Sequence, residues 1–353
     1  MSTPPPIRVA VAGAGAFGRN HARVYHELQQ QGEPVVFAGV LDTNGTRAQQ
    51  VGEAFAVPAF STLEALIREA RPQAVSVAVP TAAHLPVARA LMDAGIDVLI
   101  EKPLARSLEE ADELIGLAET KRRIAQTGHL ERFNPAVRAT WPLLTRPMFF
   151  EVHRLSPFSP RALDVDVILD LMIHDLDIVL SFVDSPVKEI RAVGLPILSR
   201  RVDIANVRLE FESGCIANFT ASRVSTERVR KMRFFQPYQY VSLDYTRQDV
   251  LVLTVDATSV LSAMANSSAP APETLNELIK PYKPRVEPEE PLRAELRSFL
   301  AAVRQRTPPL VSLQHGRRAL VLALEIVSAI SKHAQQAQLE SIWGKQPQVT
   351  SNK

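Results

Sequence analysis

The sequence predicts an α/β plus α+β fold. An N-terminal α/β domain on a parallel sheet precedes a second domain with an open, mainly antiparallel sheet. Three observations predict it. Over the first 128 residues short apolar runs alternate with helical segments, which implies a parallel sheet covered on both faces. Beyond that point the rhythm changes to consecutive strands separated by turns. The length of 353 residues, with 46% hydrophobic and 22% charged content, suits two ordinary cores.

The elements follow in order. Ile7–Ala12 is a strand, apolar apart from Arg8, that ends in glycines, and Phe17–Leu28 has helical spacing. Val35–Leu41 is a second strand, closing on Asp42; Ala74–Val79 and Asp97–Ile100 are two more, with helical segments over Thr62–Ala70 and His84–Ala94. Ser107 with Glu110 forms a capping box for a helix reaching Arg122. Ile124–Thr127 completes a first domain of residues 1–128. Asn134-Pro135 then starts a helix, with Asn as cap and Pro in the first helical position. Met148–Arg154 is a strand and Val165–Val183 a long apolar helix. Lys188–Leu261 reads as an antiparallel sheet, with turns such as that at Gly214. Ser262–Pro291, rich in Ala, Ser and Pro, is expected to be a surface excursion with a helical patch near Thr274–Ile279. Leu292–Arg304 and Leu313–Leu339 are closing helices of a second domain, 129–340, and 341–353 is a tail.

Composition excludes some functions. A net charge of +2, with basic residues dispersed except around Arg228–Arg233, argues against a nucleic-acid footprint. The single cysteine, Cys215, cannot form an internal disulfide, fits a reducing compartment, and reads as a packed strand residue. The start carries no charged and apolar signal pattern, and no run approaches the roughly 18 apolar residues of a membrane span. The expectation is a cytoplasmic protein.

Gly13-Ala14-Gly15-Ala16-Phe17-Gly18 lies between a strand and a helix, as a dinucleotide fingerprint requires. The first glycine permits the turn, the second admits a pyrophosphate against the backbone, and the third lets helix and strand pack closely. Amides at the helix N-terminus then face the phosphates. Asp42 can bind the adenosine ribose hydroxyls and repels a 2′-phosphate, favouring NAD over NADP, although Arg47 nearby weakens that inference. A glycine turn in another kind of α/β protein is the plain alternative.

Two further segments carry proton chemistry. Glu101-Lys102-Pro103 sits where a strand leaves the parallel sheet, the edge where such sheets bind ligands. A lysine there can stabilise a developing alkoxide, or can be a solvated loop residue. Asp170 and His174 are four apart on one helix face, continued by Asp177, among apolar neighbours. His174 can accept a carbinol proton, with Asp170 orienting the imidazole or binding an adjacent hydroxyl; a structural pair fits the same spacing. Without a Cys cluster or His-Glu-x-x-His motif, no metal is expected.

Taken together these residues resemble the glucose–fructose oxidoreductase/inositol dehydrogenase superfamily. The glycine fingerprint, Val79-Pro80 with His84, Glu101-Lys102-Pro103, Arg132-Phe133-Asn134-Pro135, His153-Arg154 and Asp170-x-x-x-His174 stand in that family's order across Ile7–Gln335. The resemblance implies a Rossmann domain followed by a substrate and oligomerisation domain, a cis Lys102–Pro103 bond, and a homodimer or homotetramer. It implies Lys102, Asp170 and His174 as catalytic residues. It places NAD on Gly13, Gly15, Ala16, Phe17, Gly18, Asp42, Pro80, His84, Glu101, Lys102 and His129. A narrower resemblance, over Gly128–Pro135, Asp170–Asp177 and Phe235–Tyr245, is to the subgroup that oxidises UDP-sugars at carbon 3. It implies UDP-N-acetylglucosamine as substrate and a 3-oxo product taken up by a PLP-dependent aminotransferase in lipid A assembly.

A sugar nucleotide asks for planar cations at its pyrophosphate. Arg132, Arg154, Arg161, Arg230 and Arg233 are the candidates, each of which also fits a solvated surface charge. Phe133, Phe235 or Tyr238 can stack on uracil, Asn134 belongs to the same motif, and His153 can touch sugar hydroxyls or simply end a strand. A dehydrogenase of a free polyol or monosaccharide, and a non-catalytic dinucleotide sensor, are the competing functions.

Overall fold

The computed structural model describes residues 5–159, 165–256, 258 and 278–339. The chain folds as two compact units, Met1–Arg138 with Glu287–Val321, and Ala139–Val286 with Leu322–Lys353.

In the first unit, β1 (Ile7–Ala12), β2 (Val35–Leu41), β3 (Ala59–Phe60), β4 (Ala74–Val77), β5 (Asp97–Glu101) and β6 (Ala125–Gly128) form a parallel sheet in the order β3-β2-β1-β4-β5-β6. The chain winds outward from β1 in one direction and from β4 in the other. That reversal opens a crevice at the carboxyl ends of β1 and β4. Helices α1 (Ala16–Gln30), α2 (Gly45–Phe55), α3 (Leu63–Ala65, running into a π turn at Leu66–Ala70), α4 (His84–Asp93) and α5 (Leu108–Thr120) connect the strands.

Sequence patterning had not indicated α2 or β3. Only Ala48, Val51 and Gly52 of α2 are buried, too few for a clear apolar stripe, and β3 is two residues long. The capping box on α5 is half as expected. Ser107 accepts from the Glu110 amide at 3.3 Å, but the Glu110 carboxylate accepts from the Arg106 amide at 3.0 Å.

The sheet face under α1 is closed by a late segment. After α6 (Pro135–Thr140) and α7 (Ile173–Phe182), helix α8 (Pro291–Gln305) sets Leu296, Phe299, Leu300 and Val303 into the core that Val9, Val11, Tyr25, Leu28 and Leu99 begin. The sequence reading grouped this segment with residues 129–340; its apolar stripe packs instead on α1. Helix α9 (Leu313–Gln336) follows, contributing residues through Val321 to the first unit and the rest to the second.

The second unit holds β7 (Phe149–Leu155), β8 (Val187–Leu195), β9 (Ile204–Phe211), β10 (Ile216–Ser222), β11 (Val229–Gln236), β12 (Gln239–Asp244), β13 (Asp249–Val255) and β14 (Ile279–Tyr282). Their order is β14-β13-β12-β11-β7-β10-β9-β8, antiparallel except for the parallel pair β10/β7. Helix α7 covers one face, where Phe182 meets Phe150 and Phe234 with ring centroids 6.4 and 6.1 Å apart. It is preceded by a π turn over Ile168–Met172, where one continuous α-helix had been expected from Val165.

Strand β14 corrects the expected surface excursion. Ile279 to Tyr282 pair with Val255 to Val252, so this part of the segment extends the sheet. The rest of the expected helical patch, residues 274–277, lies outside the described residues. Cys215 stands just before β10; burial pushes its thiol up to about 11, which makes it an inert packed group. Among the described residues, no helix is long and apolar enough to cross a membrane.

Candidate functional site

The crevice at the ends of β1 and β4 is shaped by glycines. Gly13 has φ +99°, and a Cβ there would lie 2.4 Å from the Ala78 carbonyl oxygen. At Gly18 a Cβ would lie 1.7 Å from the Gly13 oxygen, so α1 meets the turn only through glycine. Gly15 is different: a Cβ would meet nothing within 4 Å. The turn is tight at its first and third glycines and open at its second, the side from which a pyrophosphate would approach. No side chain caps α1, so its first-turn amides are available to an anion. Ala16 and Phe17 stand exposed beside them, Phe17 at 51%.

Asp42 closes this side of the crevice. Its Oδ2 accepts from the Ala14 amide at 2.8 Å and from Arg47 Nη1 at 3.4 Å, and its Oδ1 accepts from the Asn44 amide at 2.8 Å. A carboxylate has about four acceptor positions. One remains for a ribose hydroxyl, while Arg47 offsets part of the charge that would repel a 2′-phosphate. The turn, the open helix terminus and this carboxylate together fit a dinucleotide.

On the β5 side, Glu101 is buried at the strand end, with the Lys102–Pro103 peptide cis directly after it. His21 Nε2, from α1, donates to Glu101 Oε1 at 2.9 Å, and the Lys102 amide donates to Glu101 Oε2 at 3.3 Å. Burial pushes the Glu101 carboxyl up, but the His21 hydrogen bond and the charges of His21 and Lys102 outweigh it and hold the group below its ordinary value. His84 ties two loops together. Its Nδ1 lies 3.1 Å from the Pro103 carbonyl and 3.2 Å from that of Leu104, and its Nε2 lies 3.0 Å from that of Val79. Burial lowers its pKa, with those carbonyls acting the other way. Its ring nitrogens are thus occupied by backbone, and it braces Val79-Pro80 against the Lys102 loop.

The Arg132–Pro135 motif is largely structural. Phe133 is 1% exposed and packs with Ala294 and Val311 in the core, which removes it as a stacking platform for a base. Asn134 donates from Nδ2 to Glu131 at 3.2 Å and accepts from the Ala136 amide at 3.1 Å, so it serves as the cap of α6. His129 and Arg132 are also buried.

In the second unit the pleat separates residues that neighbour each other in sequence. Arg154 points toward α7, where its Nε and Nη2 donate to Asp175 at 2.6 and 2.9 Å and its guanidinium lies 5.2 Å from the Tyr245 ring centre. This enclosed fork–fork pair replaces the expected pyrophosphate contact. His153 faces the other side of the sheet, in line with Thr220 and Lys231. Arg233 shares that outer face, 3.9 Å from Glu151, whereas Arg230 lies beside Arg154 on the α7 side.

Tyr238 is 49% exposed, with φ 59° in the hairpin between β11 and β12. That hairpin is at the Phe149 end of β7, ~17 Å along the strand from Arg154 at ~3.3 Å per residue. It is therefore remote from the helix end that carries His174. Asp170 lies in the π turn and His174 in the first turn of α7, which is buried except at its margins. Short π segments are frequent at functional sites. Arg161 lies outside the described residues. Among the described residues no group of His, Cys, Asp and Glu side chains is arranged to hold a metal ion.

Comparison with known proteins accounts for both units. Residues 7–129 match a model described as an oxidoreductase family with an NAD-binding Rossmann fold, and residues 144–235 match a GFO/IDH/MocA C-terminal domain. The chain is 35% identical over 330 residues to UDP-N-acetylglucosamine 3-dehydrogenase of Acidithiobacillus ferrooxidans, covering 93% of this chain and 99% of that protein. The chain belongs to the GFO/IDH/MocA oxidoreductase family. Its first unit is an NAD-binding Rossmann domain. The solved structure of the Acidithiobacillus enzyme superposes with a TM-score of 0.80 at 33% identity, over 92% of this chain and 98% of that one. Myo-inositol 2-dehydrogenase of Thermotoga maritima is more distant, 25% identical over 90% of this chain and 94% of its own. Levoglucosan dehydrogenase in complex with NADH shares the fold, with a TM-score of 0.78 at 16% identity over 93% of this chain and 97% of that one.

Sequence reasoning missed His21 as the partner of Glu101 and Asp175 as the partner of Arg154. The first pair is 80 residues apart and left no local signal. The second was legible in principle, because Asp175 is a charge on a helix otherwise fit for burial.

Proposed function

We propose that this protein oxidises the carbon-3 hydroxyl of UDP-N-acetylglucosamine with NAD. The observation that carries this reading is the 35% identity, over 93% of the chain, to an enzyme of that name. In this reading Lys102, Asp170 and His174 supply the chemistry.

In this reading the Gly13–Gly18 turn, the first amides of α1, Asp42 and Pro80 hold the cofactor. NAD bound there supplies the hydride acceptor. His174 removes the hydroxyl proton, Asp170 orients the imidazole, and the Lys102 ammonium stabilises negative charge growing on the oxygen. Holding the carbinol still against the acceptor accounts for much of the rate gain. Arg230 and Arg161 are the cations assigned to the pyrophosphate. The 3-oxo product passes to a PLP-dependent aminotransferase of lipid A assembly, and the protein works as a homodimer or homotetramer in the cytoplasm.

The test is NADH formation with UDP-N-acetylglucosamine, free N-acetylglucosamine and inositol offered in turn. An aminotransferase with glutamate is added to draw off product. The expected outcome is NADH only with the UDP-sugar, and a sugar nucleotide lighter by two hydrogens without the aminotransferase and bearing an amine in place of one hydroxyl with it. Turnover of inositol or a free sugar without dependence on UDP would favour the polyol reading, which the inositol dehydrogenase relatives support.

A further inference from the structure

The proposed reaction does not use a polar layer buried between the first sheet, α1 and α8. The register places Ser76, Leu99 and Gln126 side by side on β4, β5 and β6, and Glu101 on the same face two residues beyond Leu99. Helix α1 faces this row with Tyr25, whose hydroxyl is 2.9 Å from Ser76 Oγ, and, one turn earlier, with His21 against Glu101. Helix α8 brings Glu295, which is 0% exposed. Within the described protein, neither Glu295 oxygen has a hydrogen-bond partner; nor do His21 Nδ1 or the Gln126 amide.

Two carboxyl groups in one buried layer with a single imidazole do not both ionise cheaply. Glu101 is the one with an imidazole on one oxygen and the Lys102 amide on the other. Glu295 has neither, and burial, reinforced by the negative charge of Glu101, holds its pKa well above the ordinary carboxyl value. The other titratable groups acting on the layer are Tyr25, pushed up by its burial, His84 from α4, and Lys102 itself.

We propose that His21 is a positioning residue for Lys102, its buried imidazole holding the Glu101 carboxylate in one orientation, and that Glu295 in the same layer is a neutral carboxylic acid, which leaves Glu101 the one negative charge there. This rests on the reading of Lys102 as a catalytic group. The negative charge directly before Lys102 is thus insulated from solvent pH, and the lysine works against a constant field.

The test has two parts. Infrared difference spectra of the whole protein, wild type minus Glu295→Gln, are recorded at neutral pH. The expected result is a carboxylic-acid carbonyl band that the variant lacks; an ionised carboxylate band in its place would overturn the proposal. This part needs no turnover, so it decides the charge state of Glu295 even if the substrate assignment fails. The second part follows the protonation of Glu101 itself, read as the infrared band that each protein loses on Glu101→Gln substitution, as pH is lowered. In His21→Gln the hydrogen bond can persist without an ionisable partner, and the midpoint is expected to move up by about one unit, a tenfold change in the proton affinity of Glu101. In Glu295→Gln that midpoint is expected to stay where it is in the wild type. A His21→Gln enzyme with lowered turnover but an unmoved midpoint would make His21 merely structural and sink the idea. NAD titration of each variant reports that the first unit is folded.

Discussion

The two units handle charge differently. In the first, the residues of the cofactor crevice are fixed by backbone: Gly13 and Gly18 have no room for a side chain, Gly15 faces open space, and Asp42 is bonded to three groups at the turn. In the second, the conspicuous charges hold the fold. Arg154 is locked to Asp175, and Arg223 donates to Asp203 at 2.7 Å. A motif that specifies backbone geometry can be read residue by residue. A motif of long side chains in a strand cannot, because pleat parity and the covering helix decide what each one meets.

The largest effects expected are on catalysis. Lys102→Ala and His174→Ala should each lower kcat/KM by about 10²- to 10⁴-fold, the range for loss of an acid/base group, with NAD affinity retained in titration. Full activity in both variants would break the assignment of chemistry to either unit.

Next comes the contrast in the second unit. Arg154→Ala removes the guanidinium from the buried Asp175 carboxylate and should cost about 3–5 kcal/mol in urea unfolding, whereas Arg154→Met with Asp175→Leu should recover most of that. An Arg154→Ala protein of normal stability but with a raised KM for the UDP-sugar would restore Arg154 to the substrate site.

A graded effect follows from Asp203. Burial pushes its carboxyl up, but the amides of Ser199, Leu198 and Ile197 and the guanidinium of Arg223 outweigh it, leaving it well below the ordinary carboxylate range. With the folded pKa depressed, its contribution is complete above the unfolded value of about 3.9 and declines as pH falls below it. Stability should fall through that window, and Asp203→Asn, less stable at neutral pH, should show a shallower fall.

The smallest effects sharpen the glycine reading. Gly13→Ala should cost about 1–3 kcal/mol, because it forces a side chain into a positive-φ position against Ala78. Gly15→Ala should change stability by no more than about 0.5 kcal/mol, yet weaken NAD binding. Equal stability losses at both positions would remove the distinction drawn between them.

Much of this was legible beforehand. β1 and β2 stand at their expected bounds, since both are apolar runs ended by turn residues. The glycine turn declared its place through its spacing together with the apolar run before it and the helical pattern after it. α2 and β3 were hidden by a polar sequence and by brevity, and β14 by a surrounding stretch of Ala, Ser and Pro. Phe133 read as a ligand platform because its burial depends on Ala294 and Val311, more than 150 residues away. The His21–Glu101 bond and the buried Glu295 are likewise products of long-range packing, which one-dimensional spacing does not encode.

The central claim concerns where the hydride comes from. UDP-N-acetylglucosamine carrying deuterium at carbon 3 should deliver that deuterium to the reduced cofactor, detected in NADH by mass, and the wild-type enzyme should do so far faster than Lys102→Ala or His174→Ala. Deuterium retained in an oxidised sugar, or transferred only from a substrate labelled at another carbon, would contradict it.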